Sequence, residues 1–245
     1  MGGIGRYLCG ALTAVLLTSA PALADPVSVD LELAFVVDAS GSIDEAETRL
    51  QRQGYLEALR NPRVLDSITG GLTGGIAVAY IEFAADGCER LSVKWTRIDS
   101  RESAEAFGKE ILAQPLMFCP GGNAVGDALA FAATSIEKNN FKGLRRVIDI
   151  SGDGPNTLGA PVELTRDLIV STGITINGLV IERPSMPDLD AYFRGNVTGG
   201  PGSFVIKAES RQTFAQAILK KMILEIAGET LPTKASVRPE TVPAN

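Results

Sequence analysis

Apolar and polar positions along this chain follow two periods. Leu31-Glu32-Leu33-Ala34-Phe35-Val36-Val37 is a near-continuous apolar run, the pattern of a strand covered on both faces. From Ile43 to Arg60 the spacing becomes helical, and Ala46, Leu50 and Gly54 are predicted on its inward face. Asn61-Pro62 ends that helix. Gly70-Gly71 and Gly74-Gly75 frame a turn into the apolar run 76–85. Asp86-Gly87 is a hairpin signal, and 90–98 continues as an alternating strand. Helices are predicted over 103–114 and 124–137, then a strand over 146–150, a helix over 162–171 and a strand over 174–181. A short strand at 204–207 precedes a closing helix over 210–227, with Phe214, Ile218 and Met222 on one face.

Strands alternating with helices predict an α/β fold. It is a doubly wound, mostly parallel sheet with one antiparallel edge hairpin and helices on both faces. The chain of 245 residues suits one domain of roughly 200 residues with a sizeable core. Its ends read differently. Arg6, the apolar stretch Leu8 to Leu17 and the small-x-small site Ala22-Leu23-Ala24 form the pattern of a secretory leader over 1–24. That apolar stretch is short for a bilayer, and a retained N-terminal anchor is the alternative. The mature chain is expected to begin near Asp25 and to carry no transmembrane segment. Residues 25–228 then form the domain, and 229–245, with Pro232, Pro239 and Pro243, a flexible tail. The expected location is periplasmic or secreted.

Composition narrows the chemistry. The formal charge is −6, or −7 once Arg6 leaves with the leader, which argues against nucleic acid or an anionic membrane as partner. The chain has no His, which removes imidazole zinc sites, Ser-His-Asp triads and His proton shuttles. Of three cysteines, Cys9 lies in the leader. Cys88 and Cys119 remain, and an even pair in an exported chain reads as a disulfide, two separate buried thiols being the alternative.

Three loops are predicted at the carboxyl ends of the strands, where open α/β sheets bind ligands. Asp38-Ala39-Ser40-Gly41-Ser42 follows the first strand. Gly121-Gly122-Asn123-Ala124-Val125-Gly126 opens a helix. Ser151-Gly152-Asp153-Gly154 follows the strand ending at Ile150. Carboxylate, hydroxyl and carboxamide oxygens are what hard divalent cations such as Mg²⁺ take. Turn and helix capping by the same Asp and Ser side chains is the plainer alternative. Asp127 is expected on solvated surface, with a place just behind the site's ligands as the alternative, and Trp95 and Tyr80 in packing.

With these residues the chain resembles a von Willebrand factor type A domain, the fold shared with integrin inserted domains. The resemblance covers roughly Leu31 to Gly228 by the usual anatomy of a domain. The segments 148–156, 174–179 and 199–202 are similar to a secreted bacterial branch with no assigned function. The resemblance implies a metal-ion-dependent adhesion site (MIDAS) holding Mg²⁺ or Mn²⁺ through Asp38, Ser40, Ser42, Asn123 and Asp153. Asn123 stands where the family pattern has Thr. It further implies a binding module rather than an enzyme, its open metal position meeting an acidic side chain of a protein partner. A Cys88–Cys119 bridge would pin the loop carrying Asn123. Two other functions remain in view: a metal-free scaffold subunit, and an Mg²⁺-dependent phosphohydrolase with Asp38 as nucleophile. The hydrolase would need a second acid where this chain has Ser40.

Overall fold

The computed structural model describes residues 25–209 and 213–228. The expected leader and tail lie outside the described residues. Six strands form one sheet in the order β3-β2-β1-β4-β5-β6. They are β1 (Val27–Asp38), β2 (Ile76–Phe83), β3 (Arg90–Ile98), β4 (Phe141–Gly152), β5 (Thr175–Ile181) and β6 (Val205–Ala208). Only the β2–β3 pair is antiparallel; the other four pairings are parallel. The doubly wound α/β sheet with an antiparallel edge hairpin is therefore the observed fold.

Alternation along β1 explains its apolar run. Leu31, Leu33, Phe35 and Val37 enter one core, with α1 (Glu45–Arg60), α2 (Pro62–Thr69), α3 (Arg101–Ala113) and α7 (Phe214–Ala227). Ala34 and Val36 enter the other core, covered by α4 (Val125–Lys138) and α5 (Val162–Ser171). A short α6 (Leu189–Tyr192) continues into a π-helical turn, Phe193–Val197, on that second face. Tyr55 is the hub of the first core, with ring centroids 4.9 Å from Phe35, 5.3 Å from Tyr80 and 6.4 Å from Phe214. Such aromatic contacts add about 0.5–1.5 kcal/mol each beyond burial. α3 approaches α1 at Gly108, where a Cβ would come within 2.5 Å of a Leu56 methyl.

One expectation is extended and another corrected. Asn61-Pro62 ends α1 but also starts α2: Asn61 caps it, accepting from the Arg63 amide at 3.0 Å, and Pro62 takes the first helical position. A proline there gives up an amide hydrogen that has no helical partner in any case. The inward face of α1 is also rotated from the one expected. Ala46 and Leu50 are exposed, while Thr48, Gln51, Arg52, Tyr55 and Leu59 are buried beside Gly54. The reason is a charge pair. Arg52 donates to the buried Glu82 of β2 at 2.6 Å and to the carbonyls of Gln114 and Pro115, so a polar stripe of α1 can face inward. Arg90 and Ser92 hold the second Glu82 oxygen. Both oxygens of this interior carboxylate are thus met, as burial requires.

Candidate metal centre

Parallel register brings the two acidic loops together. Val37 of β1 pairs with Ser151 of β4, so Asp38 and Asp153 leave the ends of neighbouring strands although 115 residues separate them. β1 is joined to β2 on one side and β4 on the other, so the strand order reverses between them, where open α/β sheets form their ligand crevice.

Four of the five expected ligands form one cluster. The Ser40 amide donates to Asp38 Oδ1 at 2.8 Å, and the Ser40 and Ser42 hydroxyls are 3.0 Å apart. Ser42 Oγ donates to Asp153 Oδ1 at 2.9 Å, and the Asp153 amide approaches Asp38 Oδ2 at 3.5 Å. Asp38, Ser40 and Asp153 are buried. Asn123 stands beside them: a Cβ on Gly154 would come within 2.4 Å of its Nδ2. Its backbone is fixed by Thr157, whose hydroxyl accepts from the Asn123 amide at 2.8 Å and whose amide donates to the Asn123 carbonyl at 2.9 Å.

α4 begins without a cap from its own preceding residue; Asn156 Oδ1 instead accepts from the Gly126 amide at 3.0 Å. Asp127 is not solvated surface. It accepts from the Ala160 amide at 3.1 Å and so ties the 153–160 loop to α4. Trp95 and Tyr80 pack, as expected: Trp95 donates to Ser135 at 2.8 Å and Tyr80 meets Tyr55 edge-on.

The electrostatics of the cluster are unbalanced. Burial, and then the Asp153 carboxylate, push Asp38 up to about 6, against donors from Ser40 and the Asp153 amide. Asp153 Oδ2 is buried without a hydrogen-bond donor. Its cationic neighbour among the described residues is Arg183, Nη1 of which lies 3.3 Å away as a charge contact without hydrogen-bond geometry. No pattern in the sequence marked Arg183; it sits just past β5 in a turn closed by the Met186 amide on the Arg183 carbonyl at 2.9 Å.

Two buried carboxylates, two hydroxyls and a carboxamide at the flank make an all-oxygen donor set with excess negative charge. That set fits a hard divalent cation. No group of three or more His, Cys, Asp or Glu stands together among the described residues, so hydroxyl and amide oxygens would have to complete any shell here.

The raised Asp38 predicts a pH dependence. In the metal-free protein the native state holds a proton between about pH 4 and 6 that the unfolded state has released. This contribution to stability is complete below the unfolded value and lost as pH rises through the folded one. A loss of ~3 kcal/mol between about pH 4 and 6.5 is expected by linkage, and urea denaturation across that range measures it. Asp38→Asn should flatten the slope; a wild-type profile already flat would contradict the account.

A disulfide joins Cys88 to Cys119, with their Cα atoms 6.5 Å apart. It clamps the turn after β2 to the loop before Asn123. The same two segments meet again where the Ala124 amide donates to the Ala84 carbonyl at 2.9 Å. At Gly121, where φ is +144°, a Cβ would sit 2.7 Å from that of Ala85, so the loop lies flat on the turn. Reduction is expected to cost ~3–4 kcal/mol in the chain-entropy treatment of a loop this long. Non-reduced peptide mapping should recover the two cysteines in one linked fragment; two free thiols would refute the bridge.

The family model described as Protein of unknown function (DUF1194) matches residues 28–230. No curated protein matches the chain in sequence. Among solved structures, proximal thread matrix protein 1 from the mussel byssus, with a zinc-occupied MIDAS motif, is 15% identical at a TM-score of 0.59. That match covers 83% of this chain and 50% of the other. The von Willebrand factor domain of the type V pili tip protein Mfa5 from Porphyromonas gingivalis is 11% identical at a TM-score of 0.56, covering 84% and 98%. A von Willebrand factor type A protein from Catenulispora acidiphila is 17% identical at 0.53, covering 82% and 43%. The chain thus spans about half the length of the mussel protein, and at these identities the likeness is one of fold. Among the described residues no helix is long and apolar enough to cross a membrane.

Proposed function

We propose a role for this chain, which belongs to the DUF1194 family and has the von Willebrand factor type A fold: a divalent-cation-dependent binding module, without turnover, for an acidic group on a protein partner. The carrying observation is the pair of buried carboxylates from adjacent strand ends, with Asp153 Oδ2 met by no donor. Asp38, Ser40, Ser42 and Asp153, with Asn123 at the flank, would hold Mg²⁺ or Mn²⁺. A bound cation supplies an electrophilic centre that an incoming carboxylate can complete. The chain itself does the rest. Ser42 orients Asp153 through its hydrogen bond, the Ser40 amide orients Asp38, and the Cys88–Cys119 clamp holds the loop that presents Asn123.

The zinc-occupied MIDAS of the mussel protein and the pili tip protein Mfa5 support this reading. A periplasmic or secreted location fits the leader pattern of 1–24. One observation favours a metal-free scaffold instead: Arg183 already offers a positive charge to Asp153. The phosphohydrolase reading has no comparable support, since Ser40 hydrogen-bonds to Ser42 and offers no second acid.

Binding of Asp-containing peptides and their Asn counterparts, in Mg²⁺ and in chelator, separates these readings. The module should prefer the Asp peptides and lose that preference in chelator. Equal binding of both sets in both conditions would favour the scaffold.

A further inference from the structure

Asp153 has no side-chain exposure, and its two oxygens are treated differently. Oδ1 accepts from Ser42, whereas Oδ2 faces the Arg183 guanidinium at 3.3 Å without a hydrogen bond. Arg183 is one-third exposed. The Arg183-Met186 turn fixes its backbone, and no fork-like bidentate pair fixes its head, although arginine forms such pairs readily with carboxylates. The neighbouring Glu182 is engaged elsewhere, with Lys207 at 2.8 Å. Arg183 is therefore a positive charge, not locked by a hydrogen bond to Asp153, resting on a buried ligand oxygen that lacks a donor.

We infer that Arg183 is a tethered counter-cation of the metal site, seated against Asp153 when no divalent ion is bound and displaced when one enters. The inference rests on the proposed metal site. A guanidinium and a divalent cation cannot share one buried carboxylate oxygen at such distances without strong like-charge repulsion. Arg183 has a route out, because its long stem can carry the head into solvent. The apparent metal affinity is then the intrinsic affinity reduced by the fraction of molecules in which Arg183 has left. The arrangement also keeps two buried carboxylates from facing each other bare before metal arrives, and makes the metal-free domain a stable state rather than a damaged one.

Calorimetric titration of the purified full chain with Mn²⁺ alone tests this, using Arg183→Gln, Arg183→Lys, Asp153→Asn and, at the far end of the sheet, Arg101→Gln. Arg183→Gln should bind Mn²⁺ roughly tenfold more tightly than wild type and unfold at a lower temperature in chelator. Arg183→Lys should fall between the two, Arg101→Gln should match wild type, and Asp153→Asn should lose binding. Without any substitution, the Arg183 Nε–H resonance should shift on titration with Mg²⁺. Wild type binding Mn²⁺ with Arg183→Gln no tighter, or an Arg183 resonance unmoved at saturating Mg²⁺, would overturn this inference and leave the metal site standing. Failure of wild type and Arg183→Gln alike to bind would overturn both. Binding by Arg183→Gln where wild type shows none would be its strongest support.

Discussion

Lys221→Met is expected to lower the unfolding free energy by ~3–5 kcal/mol at pH 7, the range for leaving a buried charge without its partner. Lys221 is fully buried on the inner face of α7, in contact with Asp149 of β4 and 2.6 Å from Glu225 Oε1. Asn177 of β5 donates to the same Glu225 oxygen at 3.0 Å. Removing the one cation leaves two carboxyl groups facing each other inside the core. Burial and then Asp149 already push Glu225 above the ordinary carboxylate range, while Lys221 pulls the other way. A raised carboxyl keeps its proton in the native state where the unfolded state has lost it, so stability falls as pH rises through the folded value. The deficit of Lys221→Met should therefore be greatest in alkali and shrink towards acid. Replacing the whole group at once, with Asp149→Leu and Glu225→Gln added, should recover much of the loss, since well-packed apolar residues commonly match a buried ion pair. Urea denaturation at several pH values reads both results. A Lys221→Met midpoint equal to wild type would show that the cluster carries little.

Asp153→Asn is expected to leave the metal-free fold close to wild type while removing its response to divalent cations. Asparagine keeps an oxygen for the Ser42 hydroxyl and relieves Asp38 of the neighbouring charge. The lost contact with Arg183 costs little, because that guanidinium is partly in solvent. The loss of a charged ligand should weaken binding by roughly a hundredfold or more, beyond the 10–100-fold typical of outer-shell changes. At metal one hundred times the wild-type dissociation constant, stabilisation would then fall from ~2.7 to ~0.4 kcal/mol. Thermal unfolding of both proteins in metal and in chelator measures this. An undiminished response in the variant would move the cation away from Asp153.

Both variants concern charged residues inside the molecule, and these mark the boundary of what the sequence makes legible. Apolar periodicity identified β1, β2, β5 and the second half of β4, because these are covered on both faces and read as runs, whereas the partly exposed 141–145 of β4 were not expected as strand. It also placed α5 at 162–171, as observed. The D-x-S-x-S turn and Ser-Gly-Asp-Gly could be paired in advance because both follow such runs, and parallel register then makes them neighbours. Arg52, Glu82, Asp149, Lys221 and Glu225 were not legible. A charged residue defaults to the surface, and only its partner on another element shows that it can be buried. The same blindness misplaced the inward face of α1, where Leu50 looked like core and Arg52 took the place. Arg183 and Asp127 act through contacts with distant loops, for which no local spacing exists.

Thermal unfolding of the chain in Mg²⁺ or Mn²⁺ against chelator shows whether Asp38, Ser40, Ser42, Asn123 and Asp153 hold a divalent cation. Metal at one hundred times its dissociation constant contributes ~2.7 kcal/mol, which for a domain of this size raises the midpoint by roughly 5–10 °C. A midpoint unmoved by either ion at millimolar concentration would rule out the cation site and leave Arg183 as the permanent counter-charge of a metal-free scaffold.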